Sequence, residues 1–181
     1  MEIQKLSYED FAGKRYCSEV RSDKYLAIEP VKSTNRGEYG FSFAWVACEE
    51  FSMKLEDEIL SDWLENPVAF GAFSDGKLLG FVEGFLETWN NRFRISNIVV
   101  FDQERRKSGI GSALLASILQ EAEHSGARMV VLETQSYNFK AISFYKKHGF
   151  DIIGFDLFAY SNDAIEKHNI RIEMGKKTRN G

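Results

Sequence analysis

The chain has 181 residues and a formal net charge of -4, enough length for one full hydrophobic core, and it is read as a single domain over residues 1–181. A hydrophobic share of 44% against 28% charged residues excludes a disordered or fibrous chain. The mild acidity argues against general nucleic-acid binding and suits a cationic partner, and no stretch has the length of a membrane span or the core of a signal peptide, so a cytoplasmic protein without membrane association is expected.

In chain order, residues 9–20 are expected to form a first helix with Phe11, Tyr16 and Val20 on its apolar side. Ser33 to Gly37 has loop composition. Tyr39, Phe41, Phe43 and Trp45 alternate, which predicts an extended segment packed on the core. Phe51, Leu55, Ile59, Leu60 and Trp63 suggest a second helix over 51–63, ended by Asn66-Pro67, because a residue before proline avoids helical geometry. Strands are predicted over 68–73 and from Leu78 to about Trp89, joined by the turn Ser74-Asp75-Gly76-Lys77. A second turn, Trp89 to Arg92, leads into a third strand ending at Phe101.

Next comes Arg106-Lys107-Ser108-Gly109-Ile110-Gly111-Ser112, opening a helix whose Leu114, Leu115, Ile118, Leu119 and Ala122 recur at helical spacing to about His124. Met129 to Glu133 is a continuous apolar run, as in a strand covered on both faces. A helix over 138–147 with Gly149 at its C-terminal cap follows, then strands over 150–160 and 169–174 and a frayed basic tail from Gly175. The order is that of one mixed α/β domain, a mostly antiparallel sheet with helices on both faces. Cys17 and Cys48 are far apart, and His124, His148 and His168 form no ligand pair, so no metal site is expected.

Two glycines where a strand gives way to a helix leave the helix's first N–H groups open, and these, with the positive end of the dipole, suit a phosphate. Arg106 and Lys107 add cations beside them. The loop is neither a P-loop, since no Gly-Lys-Ser/Thr follows, nor a dinucleotide fingerprint, since no third glycine stands three residues after Gly111. It does match Arg/Gln-x-x-Gly-x-Gly/Ala. Downstream, Asn138, Ala141, Phe144, Tyr145, Gly149 and Phe150 fill the pattern Asn-x-x-Ala-x-x-Phe-Tyr-x-x-x-Gly-Phe. In this order the two motifs resemble the GNAT N-acetyltransferases, over roughly residues 68 to 160.

The resemblance implies direct transfer of the acetyl group of acetyl-CoA to an amine, with acetyl-CoA as co-substrate and no metal. It implies a pyrophosphate cradle at Arg106, Lys107, Ser108, Gly109, Ile110 and Gly111, with Ser112 at the helix start. It places the pantetheine along the backbone of Val99, Val100 and Phe101, Asn138 and Phe144 beside the cofactor arm, and Tyr145 as the acid at sulfur. Many members carry a glutamate on the fourth strand. This chain has Ser96 and Asn97 there, neither of which takes a proton at neutral pH. The base is then Glu83, Glu87 or Glu133, or a water chain.

Trp89-Asn90, Leu132-Glu133-Thr134-Gln135 and Gly154 to Asn162 look like the streptothricin acetyltransferases. That likeness implies a small cationic amine substrate met by Glu87, Trp89, Glu133 and Asp156. A protein lysine or N-terminal amine is the alternative acceptor, and a non-catalytic CoA-binding sensor the alternative to an enzyme. Dimers are common in the family, which makes a homodimer a candidate assembly.

Overall fold

The computed structural model describes residues 1–32, 39–101 and 109–179. Its elements run β1 (Glu2–Lys5), α1 (Tyr8–Phe11), β2 (Lys14–Lys32), β3 (Tyr39–Ile59), β4 (Val68–Ser74), β5 (Lys77–Glu87), β6 (Arg92–Val100), α2 (Ile110–His124), β7 (Met129–Gln135), α3 (Phe139–Lys147), β8 (Asp151–Asp156) and β9 (Arg171–Lys177). They form two compact units, one of Met1–Ser18, Lys54–Leu132 and the chain from Gly175, the other of Glu19–Met53 and Glu133–Met174.

In the first unit β1, β4, β5 and β6 are antiparallel neighbours in that order, and β6 pairs in parallel with the start of β7. A parallel pair needs a long crossover, and α2 supplies it. This helix packs against β1, β4, β5 and β6. Its buried residues Ile110, Leu114, Leu115, Ile118 and Ala122 form one stripe at helical spacing. Beside the sheet, Leu6, Ile59, Leu60, Ala69, Phe81 and Val99 make a hydrophobic cluster joined by Phe11 and Tyr16.

The ladder between β6 and the start of β7 runs from Arg92↔Met129 to Ile95↔Leu132, and β6 itself reaches Val100. On its other side β6 stays paired with β5 as far as Gly80↔Val100, and Phe101 N–H donates to Leu79 O at 3.0 Å. Antiparallel strands alternate their hydrogen-bonding direction, so the N–H and C=O of Ile98 and Val100 face away from β5.

One residue disturbs the β5–β6 register. Glu83 pairs with Asn97 and Gly84 with Ile95, which leaves Ser96 as the extra residue of a bulge. Its Oγ donates to Glu83 O at 3.3 Å. Through this bulge Asn97 shares a sheet face with Glu83, and Arg94 with Phe85. The strands come so close here that a Cβ on Gly84 would lie 2.4 Å from Arg94 O, a backbone atom. Gly84→Ala is therefore expected to destabilise the fold by about 2 kcal/mol. Urea unfolding measures this, and an unchanged midpoint would contradict the close approach.

In the second unit β9 lies between the end of β7 and β8. Asn138 opens α3 by accepting the Ala141 N–H on its side chain at 3.3 Å, and Gly149 at φ 84° follows its C-terminus. Strands β2 and β3 make a separate two-stranded sheet.

The antiparallel run over 68–100, α2, β7 and α3 agree with the sequence reading. The start of the chain does not. In place of a helix over 9–20 stands the single turn α1 followed by β2, and in place of a helix over 51–63 stands the end of β3. Val20, Ser22, Leu26 and Ile28 are buried in β2 at a period of two, which only a strand can satisfy. The expected frayed tail is also corrected. Gly175–Lys177 completes β9, and Thr178 is buried with its hydroxyl donating to Ala127 O at 2.5 Å. The strand expected over 150–160 ends at Asp156, where the side chain accepts the Phe158 N–H at 3.0 Å and turns the chain.

Candidate active site

Glu83 stands on β5 with no exposed surface. Burying a carboxylate is costly unless its oxygens are satisfied, and both are. Oε2 accepts the Leu60 N–H at 2.7 Å, and Oε1 accepts an N–H of the Asn97 amide at 2.8 Å. Asn97 Nδ2 also donates to Asp57 Oδ2 at 3.3 Å. Burial pushes the Glu83 carboxyl above its ordinary range, the bonds from Asn97 and Leu60 pull it back, and the Asp57 charge adds to the rise. Tyr16, with its ring 4.9 Å from Phe81, has its phenol raised by burial and then by Asp57 and Glu83. No cation contacts the Glu83 carboxylate among these described groups.

Glu87, four residues further along β5, is placed differently. Arg92 Nε lies 3.3 Å from its Oε2, Arg94 Nε bonds its Oε1, and Asn90 Nδ2 donates to Oε2 at 3.0 Å. Burial pushes this carboxyl up, but the hydrogen bonds from Arg94 and Asn90 and the two arginine charges outweigh it and hold it below the usual range. Trp89, 82% exposed at the tip of the β5–β6 turn, has the Arg92 guanidinium 5.9 Å from its ring.

The helix α2 begins with Gly109 at φ 85°, a left-handed position, and no side chain caps it. A Cβ there would meet nothing within 4 Å. Ile110 is buried, Gly111 half-buried and Ser112 exposed, and the first backbone N–H groups of the helix have no partner within it. Arg106, Lys107 and Ser108 lie outside the described residues. Ile98 and Val100 of β6, whose N–H and C=O face away from β5, belong to one unit with this helix start. An extended amide chain ending in a phosphate fits outward-facing strand groups combined with a helix N-terminus.

In the second unit Tyr145 is 6% exposed, with its ring 5.4 Å from Phe144 and 5.8 Å from Phe150. Burial raises its phenol pKa, so it stays protonated at neutral pH. Phe144 also packs on His148, whose Nδ1 bonds the Phe144 carbonyl at 2.8 Å. Glu133 accepts the Tyr160 hydroxyl at 2.6 Å and pairs with Arg171 at 3.0 Å, and Arg171 also reaches Glu173 at 3.7 Å. Asp156 is exposed. Among the described residues no cluster of three or more histidines, cysteines and carboxylates is placed to hold a metal ion, and no helix is long and apolar enough to cross a membrane.

The sequence reading left Glu83, Glu87, Glu133 or a water chain open as the base, and it did not point to Asp57, the Leu60 N–H or Tyr16, which reach Glu83 from β3, the following turn and β2. Their separations along the chain leave no local signal. Asn97 stood in view only as an absent acid.

The acetyltransferase (GNAT) family matches residues 36–150. A streptothricin acetyltransferase of Escherichia coli is 29% identical over 77% of this chain and 78% of its own length. Streptothricin acetyltransferase A of Bacillus subtilis (strain 168) is 34% identical over 54% of this chain and 56% of its own. Among solved structures, a nourseothricin acetyltransferase superposes with TM-score 0.69 at 23% identity over 97% of both chains. A Bacillus anthracis str. Ames protein assigned to the streptothricin acetyltransferases, solved with acetyl coenzyme A, superposes with TM-score 0.73 at 22% identity over 98% of this chain and 97% of its own. A mixed, mostly antiparallel sheet with its crossover helix and a family match over more than half the chain agree: the chain belongs to the GNAT family and is an acetyl-CoA-dependent N-acetyltransferase.

Proposed function

We propose that the acceptor is a primary amine of a small cationic compound of the streptothricin class. The observation that carries this reading is the likeness to the Escherichia coli streptothricin acetyltransferase over most of both chains. Charge supports it. Glu133, paired with Arg171, and the exposed Asp156 bring negative charge to the same unit. These groups suit a polycation better than Glu87 does, since two arginines already neutralise it.

In this reading Glu83 is the general base. It takes the proton of the acceptor ammonium through a water, because its carboxylate has no exposed surface. The neutral amine then attacks the thioester carbonyl of acetyl-CoA, whose pantetheine runs along the Ile98 and Val100 edge of β6 as an added strand. Backbone N–H groups of that edge meet the developing oxygen charge. As the tetrahedral adduct collapses, the C–S bond breaks and the Tyr145 hydroxyl gives its proton to the departing sulfur. The new amide nitrogen loses its surplus proton to water, while Asn138 and Phe144 hold the cofactor arm. The pyrophosphate sits at the first N–H groups of α2, with the cations of Arg106 and Lys107.

Thiol release from acetyl-CoA, measured against streptothricin, an aminoglycoside, a polyamine and a lysine peptide, tests the acceptor. Release with streptothricin above the others is expected. Release with the lysine peptide alone would replace the antibiotic by a protein acceptor.

Gly109→Glu is expected to weaken acetyl-CoA binding at least about 10-fold, because it forces an L residue into a left-handed position and brings a negative charge to the phosphates. Calorimetry reads the affinity. Gly76→Glu, at φ 75° in the β4–β5 turn, supplies the matched control for backbone strain. Equal affinity in both variants would discard the phosphate assignment.

A further inference from the structure

Asn97 occupies the β6 position from which a carboxylate would face Glu83. Its amide nitrogen carries two N–H bonds, and each goes to a different carboxylate, Glu83 Oε1 at 2.8 Å and Asp57 Oδ2 at 3.3 Å. Both neighbours are acceptors when ionised, which fixes which end of the amide faces them. An aspartate here would set like charges against each other with no proton between them. The amide instead joins the buried carboxylate to one at the surface, since Asp57 is exposed.

We propose that Asn97 and Asp57 are positioning residues for the base, with the Asn97 amide holding the Glu83 carboxylate in one orientation and the Asp57 charge setting how readily that carboxylate takes a proton. The inference rests on Glu83 acting as base. Neither residue touches the reacting atoms. The groups facing Glu83 from the elements around it are Asn97 on β6, Asp57 on β3, the Leu60 N–H beyond β3, and the Tyr16 phenol on β2.

Their influences have opposite signs, and that makes the arrangement adjustable. The N–H donors of Asn97 and Leu60 favour the ionised carboxylate, while burial and the Asp57 charge favour the protonated one. A buried glutamate held only by donors would be too weak a base, and one pressed only by burial and a like charge would stay protonated. The amide that steadies Glu83 also fixes the distance of the charge that works against it.

The test is a carbon-13 titration of the Glu83 side-chain carboxyl in the whole protein, its signal identified by its loss in Glu83→Gln. Asn97→Ala removes a donor and is expected to move the titration upward by about one pH unit, and Asp57→Asn removes a like charge and is expected to move it downward by about half a unit. The acid limb of the kcat profile, with streptothricin as acceptor, should shift in the same opposed directions. Titrations that stay at the wild-type midpoint in both variants overturn the inference. Shifts of the same sign in both also overturn it, since general loosening of the site would do that. Asp57→Asn changes only a surface carboxylate, so it decides the matter even where Asn97→Ala fails to fold. A fully active Glu83→Gln overturns the base assignment and this inference with it, whereas an inactive one with unmoved titrations removes this inference alone.

Discussion

Replacing Glu83 with glutamine is expected to lower kcat about 10²- to 10³-fold while leaving the acetyl-CoA affinity nearly unchanged. Glutamine keeps the size of the side chain and one acceptor oxygen, but it cannot take a proton. Its amide must also turn a donor towards either Leu60 N–H or Asn97 Nδ2, both of which donate in the native chain, so one hydrogen bond is lost. Against that loss, the variant no longer buries a charge. The sign of the pH dependence follows from the raised carboxyl. A glutamate whose folded pKa lies above its unfolded value contributes stability when protonated, and loses that contribution as pH rises through the folded pKa. Wild type should therefore gain on Glu83→Gln in melting temperature as the solution is acidified. Full kcat in the variant, with this thermal signature intact, would make Glu83 a structural anchor of the Leu60 turn and no base.

The second large effect is expected at Tyr145. Tyr145→Phe should cost about 10²-fold in kcat, since only the proton donor is removed. The ring is retained, and it is the ring that packs on Phe144 and Phe150. Melting temperature and acetyl-CoA affinity by calorimetry should both stay near the wild-type values. Burial keeps the phenol protonated well above neutral pH, so the donor is in place when the thiolate departs, and the phenolate left behind takes its proton back from solvent. Equal turnover in the variant would leave sulfur protonation to solvent.

The stretch from Val68 to Lys147 was legible because its signals are local. Asp75-Gly76 sits in the β4–β5 turn, Asn138 caps its own helix, and Gly109 and Gly149 take the left-handed angles that mark helix ends. The first third misled for a physical reason. Phe51, Leu55 and Ile59 are four apart and mimic a helix, yet 51–59 belongs to β3. Much of that strand is exposed, so its polar and apolar residues do not alternate strictly enough to announce a period of two. In β2 the alternation of Val20, Ser22, Leu26 and Ile28 is real, but Ser22 hides it, a polar residue buried because its hydroxyl bonds Lys24 O at 2.7 Å.

The site was half legible in the same way. Glu83 stood as one of three candidate carboxylates, with Glu87 on the same strand and Glu133 on β7. The partners of Glu83 could not be read, because Leu60 and Asn97 become its neighbours only through strand register. The sequence reading put the pantetheine along Val99, Val100 and Phe101, because spacing alone does not say which residues of β6 face outward. Alternation from the Phe101–Leu79 bond selects Ile98 and Val100 as the outward pair.

The bulge at Ser96 makes this chemistry a matter of odd and even numbers. Before it, the residues on the Glu83 face are the even-numbered Arg92 and Arg94, and after it they are the odd-numbered Asn97 and Val99. Alternation counted straight through the strand would put Ile98 on that face and turn Asn97 to the other. The bare sequence therefore assigns Glu83 a greasy neighbour where the folded strand supplies an amide.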